Sequence, residues 1–349
     1  MSSYVFQGLG AIGDGLSAAT GINDAGQIVG YSTGADGVST RATLWSGGVT
    51  TDLGTLGGAD SYAYDINNAG QIVGQSTTSD GAGIATMWQA MGSMQSLGTL
   101  GGASSSATGI NDKGDIVGWS TSTQGSSLRA FSWKSGGMAD LNWEGAMGES
   151  YADKINNAGQ VAGSSWFFNR QGKHATVWNG AAPSDLGTLE AGSYSFAYDI
   201  NDNGTVVGMS GYWGDTMRHA TVWQNGQRID LGTLGGSDSY ASAINNLGDV
   251  VGASHADMAS SDWHATLWRD GVAIDLNSYL AEDSDWILQT ATDINEHGWI
   301  IGKAYNKVSG LTQGYVLMAA AVPEPEAYGL FIGGVALVGL LKLRRKHLA

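Results

Sequence analysis

Three histidines, His174, His219 and His264, recur at a strict 45-residue interval in "HATVW", "HATVW" and "HATLW". Imidazole is a common metal ligand, so the trio invites a metal. The interval argues against one, because it puts each histidine on a separate repeat, too far from the others to share an ion. Packing is the expectation. "GYSTG" at Gly30 to Gly34 has the form of a nucleophile elbow. That motif needs a strand-to-helix turn, and the same place in other copies reads "GQSTT" and "GWSTS", so no catalytic serine is expected. The turns "IND" and "INN" offer carboxylates and amides. Calcium is the one metal they suggest, but no copy has the spacing of a calcium loop and turn geometry alone accounts for these residues, so no cofactor is assigned.

A richer signal lies in the loops. Those of the first two repeats are small and polar, whereas later ones carry Trp143, Trp166 and Phe167, Tyr212 and Trp213, Trp263, and Trp286. Glu144, Glu149, Asp215, Glu282, Asp283 and Asp285 lie close by in sequence. Aromatic faces beside carboxylates and amides suit sugar rings, whose apolar faces stack while their hydroxyls find acceptors. These seven aromatics are the candidate ligand-binding residues. The competing reading has them plug a channel or pack loop on loop.

The scaffold that must position them is one unit written seven times. "INDAG", "INNAG", "INDKG", "INNAG", "INDNG", "INNLG" and "INEHG" begin at Ile22, Ile66, Ile110, Ile155, Ile200, Ile244 and Ile294. Each is followed by a variant of "QIVG". The turn places asparagine first and glycine fourth, which predicts a tight hairpin with a left-handed glycine. Two further strands follow, one ending in tryptophan and one in "DLGTL". Four strands per 45 or so residues is the size of a β-propeller blade, and seven copies predict an all-β, seven-bladed propeller. A parallel β-helix is the competitor, but its rungs need a repeat of about half this length. An alanine three residues before each isoleucine fits the crowding of inner strands around an axis. The chain opens with "FQGLGAIGDG", which aligns with a fourth strand, and the last unit lacks one; the first strand is expected to complete the last blade and leave no open edge.

The repeat "DLGTLGG…SYA…INN.G.VVG.S…HATLW" resembles the HAF family of bacterial extracellular repeats over about residues 5 to 318. The name-giving triplet is only partly kept, as "HAT" and as "RAFSW" at Arg129 to Trp133. The resemblance implies export and a surface or extracellular setting, and it carries no catalytic residue.

Residues 322–349 form a separate segment after the propeller of residues 1–321. Val322, Pro323, Glu324 and Pro325 precede an apolar run of about residues 327–343, and Arg344, Arg345 and Lys346 follow. A run of this length is a short membrane span, and the basic cluster predicts a cytoplasmic stop. The arrangement is similar to the PEP-CTERM sorting signal of Gram-negative bacteria. It implies recognition by an exosortase, a membrane cysteine transpeptidase, and processing to the cell surface or beyond. A plain C-terminal anchor is the alternative. "MSSYVFQGLG" has no basic start or apolar core, so no N-terminal signal peptide is visible in this chain.

Composition narrows the partners. Fifty-five glycines and 16 lysines and arginines among 349 residues favour strands and turns over long helices, and the net charge of −16 repels nucleic acid. No cysteine is present, which excludes disulfides and thiolate sites. The expectation is an exported, non-enzymatic surface or matrix protein that binds polysaccharide or another surface component through these loop aromatics. A glycosidase or lyase with Glu144, Glu282 or Asp283 as a carboxylate pair is the runner-up. A purely structural protein is the third reading.

Overall fold

The computed structural model describes residues 4–319 apart from 90–91, 124, 143–147, 168–171, 181–182, 191, 213–215 and 259–261. They form seven four-stranded antiparallel sheets, each meandering outward from an inner strand. Blade 1 comprises Ser17–Ile22, Ile28–Thr33, Thr40–Ser46 and Val49–Asp52. Blades 2 to 6 repeat this order over residues 57–98, 101–140, 150–185, 195–230 and 239–275. Blade 7 consists of Trp286–Ile294, Ile300–Asn306 and Thr312–Ala319, and its outermost strand is Tyr4–Leu9 from the other end of the chain. The expected closure is present, with Val5 opposite Met318 and Leu9 opposite Gly314.

The repeated residues explain the blade. In every copy the turn glycine takes a positive φ, from +72° at Gly26 to +89° at Gly248, and the turn closes from its N–H to the asparagine carbonyl. The inner strand then bulges after the conserved-in-repeat alanine, between Ala19 and Gly21 in blade 1 and at the matching place in the others. The bulge brings a carbonyl of the inner strand against the glycine of "QIVG". A Cβ on Gly163 would lie 2.0 Å from the Tyr151 carbonyl oxygen, and the other six copies are equally tight. Only glycine fits.

Packing runs between blades. The seven inner-strand alanines, Ala19 to Ala291, are wholly buried. Each sits in a cluster such as Val29 and Ala42 of blade 1 with Ala63, Ile66, Ile72 and Trp88 of blade 2. Small residues near the axis and tryptophan farther out fill the wedge between radiating sheets. Leu317 replaces tryptophan in blade 7 and is fully buried.

Besides strands, the described residues contain a single 3₁₀ turn at Leu276–Tyr279, and no helix among them is long and apolar enough to cross a membrane. The segment expected to span one, with Val322 to Pro325 and Arg344 to Lys346, lies outside the described residues.

Candidate functional site

Antiparallel strands alternate direction, so each inner strand runs from the face bearing the blade-to-blade and second-to-third-strand loops toward the face bearing the "INxxG" turns. The central channel therefore has two different ends.

At the turn face, asparagine does more than shape the hairpin. Asn23 Oδ1 accepts the Gln27 N–H, and its Nδ2 donates to the carbonyl of Asn67 in the next blade. The same bond passes from Asn67 to Asn111, Asn156, Asn201, Asn245 and Asn295 and returns to Asn23, at 3.0 to 3.3 Å. These side chains are buried. A second ring lies outside the first: the N–H of each following residue donates to the side chain of its counterpart, through Asp24, Asn68, Asp112, Asn157, Asp202, Asn246 and Glu296. Carboxylate and amide alternate around it, but seven is odd. Glu296 and Asp24 thus meet at the closing joint, and burial together with the Asp24 and Asp202 charges raises the Glu296 pKa against the Asn246 N–H that it accepts. The rings surround a polar cavity of about 380 Å³.

One step deeper lies the residue before each isoleucine. In blades 2, 4, 5 and 7 it is charged: Asp65, Lys154, Asp199 and Asp293. Lys154 Nζ lies 2.6 Å from Asp65 Oδ1. The three aspartates also clamp backbone across blade joints, accepting the N–H of Ile110, Ile244 and Ile22. Burial pushes the Asp293 carboxyl up to about 7 despite Lys154, and Asp199 shifts the same way. Burial works against the Lys154 ammonium, yet Asp65, Asp293 and Asp199 outweigh it and raise its pKa. Asp153, next to Lys154, is pushed by burial up to about 7.

The loop-face end is aromatic. A cavity of about 500 Å³ spans blades 5 to 7 and is lined by Tyr198, Met209, Arg218, Tyr240, Trp263 and Thr290, with Ser242 on its wall. Trp263 packs 5.1 Å from the Tyr240 ring and 4.2 Å from His255, and the Arg218 guanidinium sits 5.6 Å from its centroid. Arg218 Nε faces Asp238 at 3.2 Å. Burial raises the Tyr198 and Tyr240 hydroxyl pKa values. Neither hydroxyl has a hydrogen-bond partner among the described residues, and the buried Thr290 Oγ1 has none either. A compartment with aromatic walls and unpaired hydroxyls can hold a ring that has both apolar faces and polar edges.

The sequence-predicted aromatics do not converge. Trp263 alone lines this cavity. Trp166 is 43% exposed, Phe167 lies against His174, and Tyr212 stacks on His219 at 5.1 Å. Trp286 packs on Phe6 beside the blade 7 core. Trp143 and Trp213 lie outside the described residues, as do Glu144 and Asp215. Glu149 is held by Lys173 at 2.7 Å, and Glu282 and Asp283 are exposed without lining the cavity. The three histidines have separate partners: their Nδ1 atoms contact Asp185, Asp230 and Asp275 at 2.7 to 2.8 Å. Arg41 with Asp52 and Arg129 with Asp140 occupy the same place in blades 1 and 3. No group of three potential ligands is arranged to hold a metal among the described residues.

Tyr198, Tyr240 and Arg218 escaped the sequence reading, as did the channel charges. The charges had a visible signal, since "YDIN" and "DKIN" put ionic side chains inside otherwise buried inner strands.

No family model matches the chain, and no curated protein matches it. Among solved structures it is similar to TolB from Acinetobacter baumannii, at 8% identity and a TM-score of 0.47, over 84% of this chain and 63% of that one. A gluconolactonase from Xanthomonas campestris matches at 9% identity and a TM-score of 0.43, over 91% and 90%. The acylaminoacyl peptidase of Pyrococcus horikoshii matches at 12% and 0.49, over 82% and 49%. The chain thus spans under two thirds of the length of TolB and about half that of the peptidase. None of these likenesses bears on what the chain does.

Proposed function

We propose that this propeller is a non-catalytic glycan-binding protein of the cell surface or extracellular matrix, and that its ligand enters the aromatic end of the channel. The carrying observation is the cavity in which Trp263, Tyr240 and Tyr198 present ring faces while the Tyr198 and Tyr240 hydroxyls have no hydrogen-bond partner among the described residues. Ring faces beside open hydroxyls match a ligand with apolar faces and hydroxyl-bearing edges. Export, sorting by an exosortase-type system and passage through the membrane by the C-terminal segment rest on the tail sequence and its resemblance to the PEP-CTERM signal.

The test is binding of the purified chain to an immobilised panel of polysaccharides, with Trp263→Ala and Trp286→Ala compared. Saturable binding to at least one glycan, lost in Trp263→Ala and kept in Trp286→Ala, supports the reading. Binding to none, with the chain folded, rejects it.

A further inference from the structure

Resting on the glycan reading, we infer that the sugar taken at this mouth is acidic, with its carboxylate received by the terminal nitrogens of Arg218. In a chain of net charge −16, most cations of the propeller are committed to carboxylates. Examples are Arg129 with Asp140, Lys173 with Glu149 and Arg269 with Asp249. The aromatic mouth departs from that pattern.

Arg218 Nε lies 3.2 Å from Asp238 Oδ1, and no hydrogen bond from its Nη atoms is found among the described residues. The side chain is 44% exposed and lines the cavity while resting on Trp263. Asp238 is occupied besides: its Oδ2 accepts the Ser237 hydroxyl and lies 3.6 Å from His255 Nδ1. It orients the guanidinium without covering its outer edge. A guanidinium edge presents two parallel N–H donors, the geometry that a carboxylate accepts in pairs.

A uronic acid residue has the matching parts: an apolar ring face for Trp263, hydroxyls for Tyr198 and Tyr240, and a carboxylate for Arg218.

The test is titration of the purified chain with alginate, polygalacturonate and glucuronan oligosaccharides, each beside its carboxyl-reduced neutral form. At least one acid form is expected to bind about tenfold tighter than its reduced form, the 1.4 kcal/mol that one charge-assisted contact readily supplies. Arg218→Gln should bring the ratio of acid to neutral affinity, both measured on that variant, toward one. Acid binding should weaken with added salt. Equal affinity for both forms in the native chain, or an acid preference that survives Arg218→Gln, overturns this inference and leaves the glycan reading standing. No binding of any form overturns both.

Discussion

Lys154→Met removes an ammonium that, among the described residues, alone faces three channel aspartates. In the native chain its Nζ is 2.6 Å from Asp65 Oδ1, and the charges of Asp293 and Asp199 act on it as well. Breaking a buried ion pair by deleting one partner typically costs about 3–5 kcal/mol, because the remaining charge is left uncompensated. Here three carboxylates are left, each still holding backbone N–H groups across a blade joint. A carboxyl raised in the folded state binds more protons there than in the unfolded chain, so stability falls as pH climbs from about 4 toward the folded value near 7 for Asp293. Lys154 moderates that fall, and its loss should steepen it. Urea unfolding at pH 7.5 and pH 5.0 reads the effect: the variant should lose about 3–5 kcal/mol at the higher pH and less than about half of that at the lower. A loss under about 1 kcal/mol at pH 7.5, or the same loss at both pH values, would refute the view that Lys154 neutralises this cluster.

Other perturbations test separate parts of the scaffold. Asn156→Ala strands the Gln160 N–H and removes the Nδ2 bond to the Asn201 carbonyl, which keeps the Gly204 N–H; at about 1–2 kcal/mol for the first and about 1 kcal/mol for the second, the predicted loss is about 2–3 kcal/mol in the same urea assay. Gly163→Ala drives a Cβ to 2.0 Å from a backbone oxygen, so it should cost more than about 4 kcal/mol or yield no folded protein, as judged by calorimetry. The His219 pKa is raised, first by its bond to Asp230, and that of His264 by Asp275. A raised histidine contributes stability that is fully present below about 6.5 and is lost as pH rises through the folded value, so His219→Gln should flatten the pH profile of the melting temperature above 6.5. An unchanged profile would contradict it.

Much of the architecture could be read from the chain because each blade repeats the same instructions. The turn glycines, the crowded alanines and the tryptophan wedge recur at fixed positions, and the unmatched strand at Tyr4–Leu9 fits the gap in blade 7. The asparagines were only half legible. Their backbone role follows from the turn, but the Nδ2 bond to the next blade needs seven turns brought around one axis, which no local pattern encodes. The ligand site was less legible still. It draws on positions where the copies differ, such as Tyr198, Arg218 and Tyr240, and joins three blades, so the residue spacing within one repeat does not reveal it. The loop aromatics mislead for the same reason: Trp286 turns inward to Phe6, and Tyr212 covers His219. Bulk in a loop marks a surface only when nothing nearby can bury it.

Isothermal titration of the purified chain with the tightest-binding glycan, in parallel with Trp263→Ala and with Tyr198→Phe plus Tyr240→Phe, tests the central claim most directly. The cavity predicts one site per chain, abolished by loss of the tryptophan and weakened by about tenfold when both hydroxyls are removed. Native affinity in both variants would place any glycan elsewhere on the propeller and contradict the account.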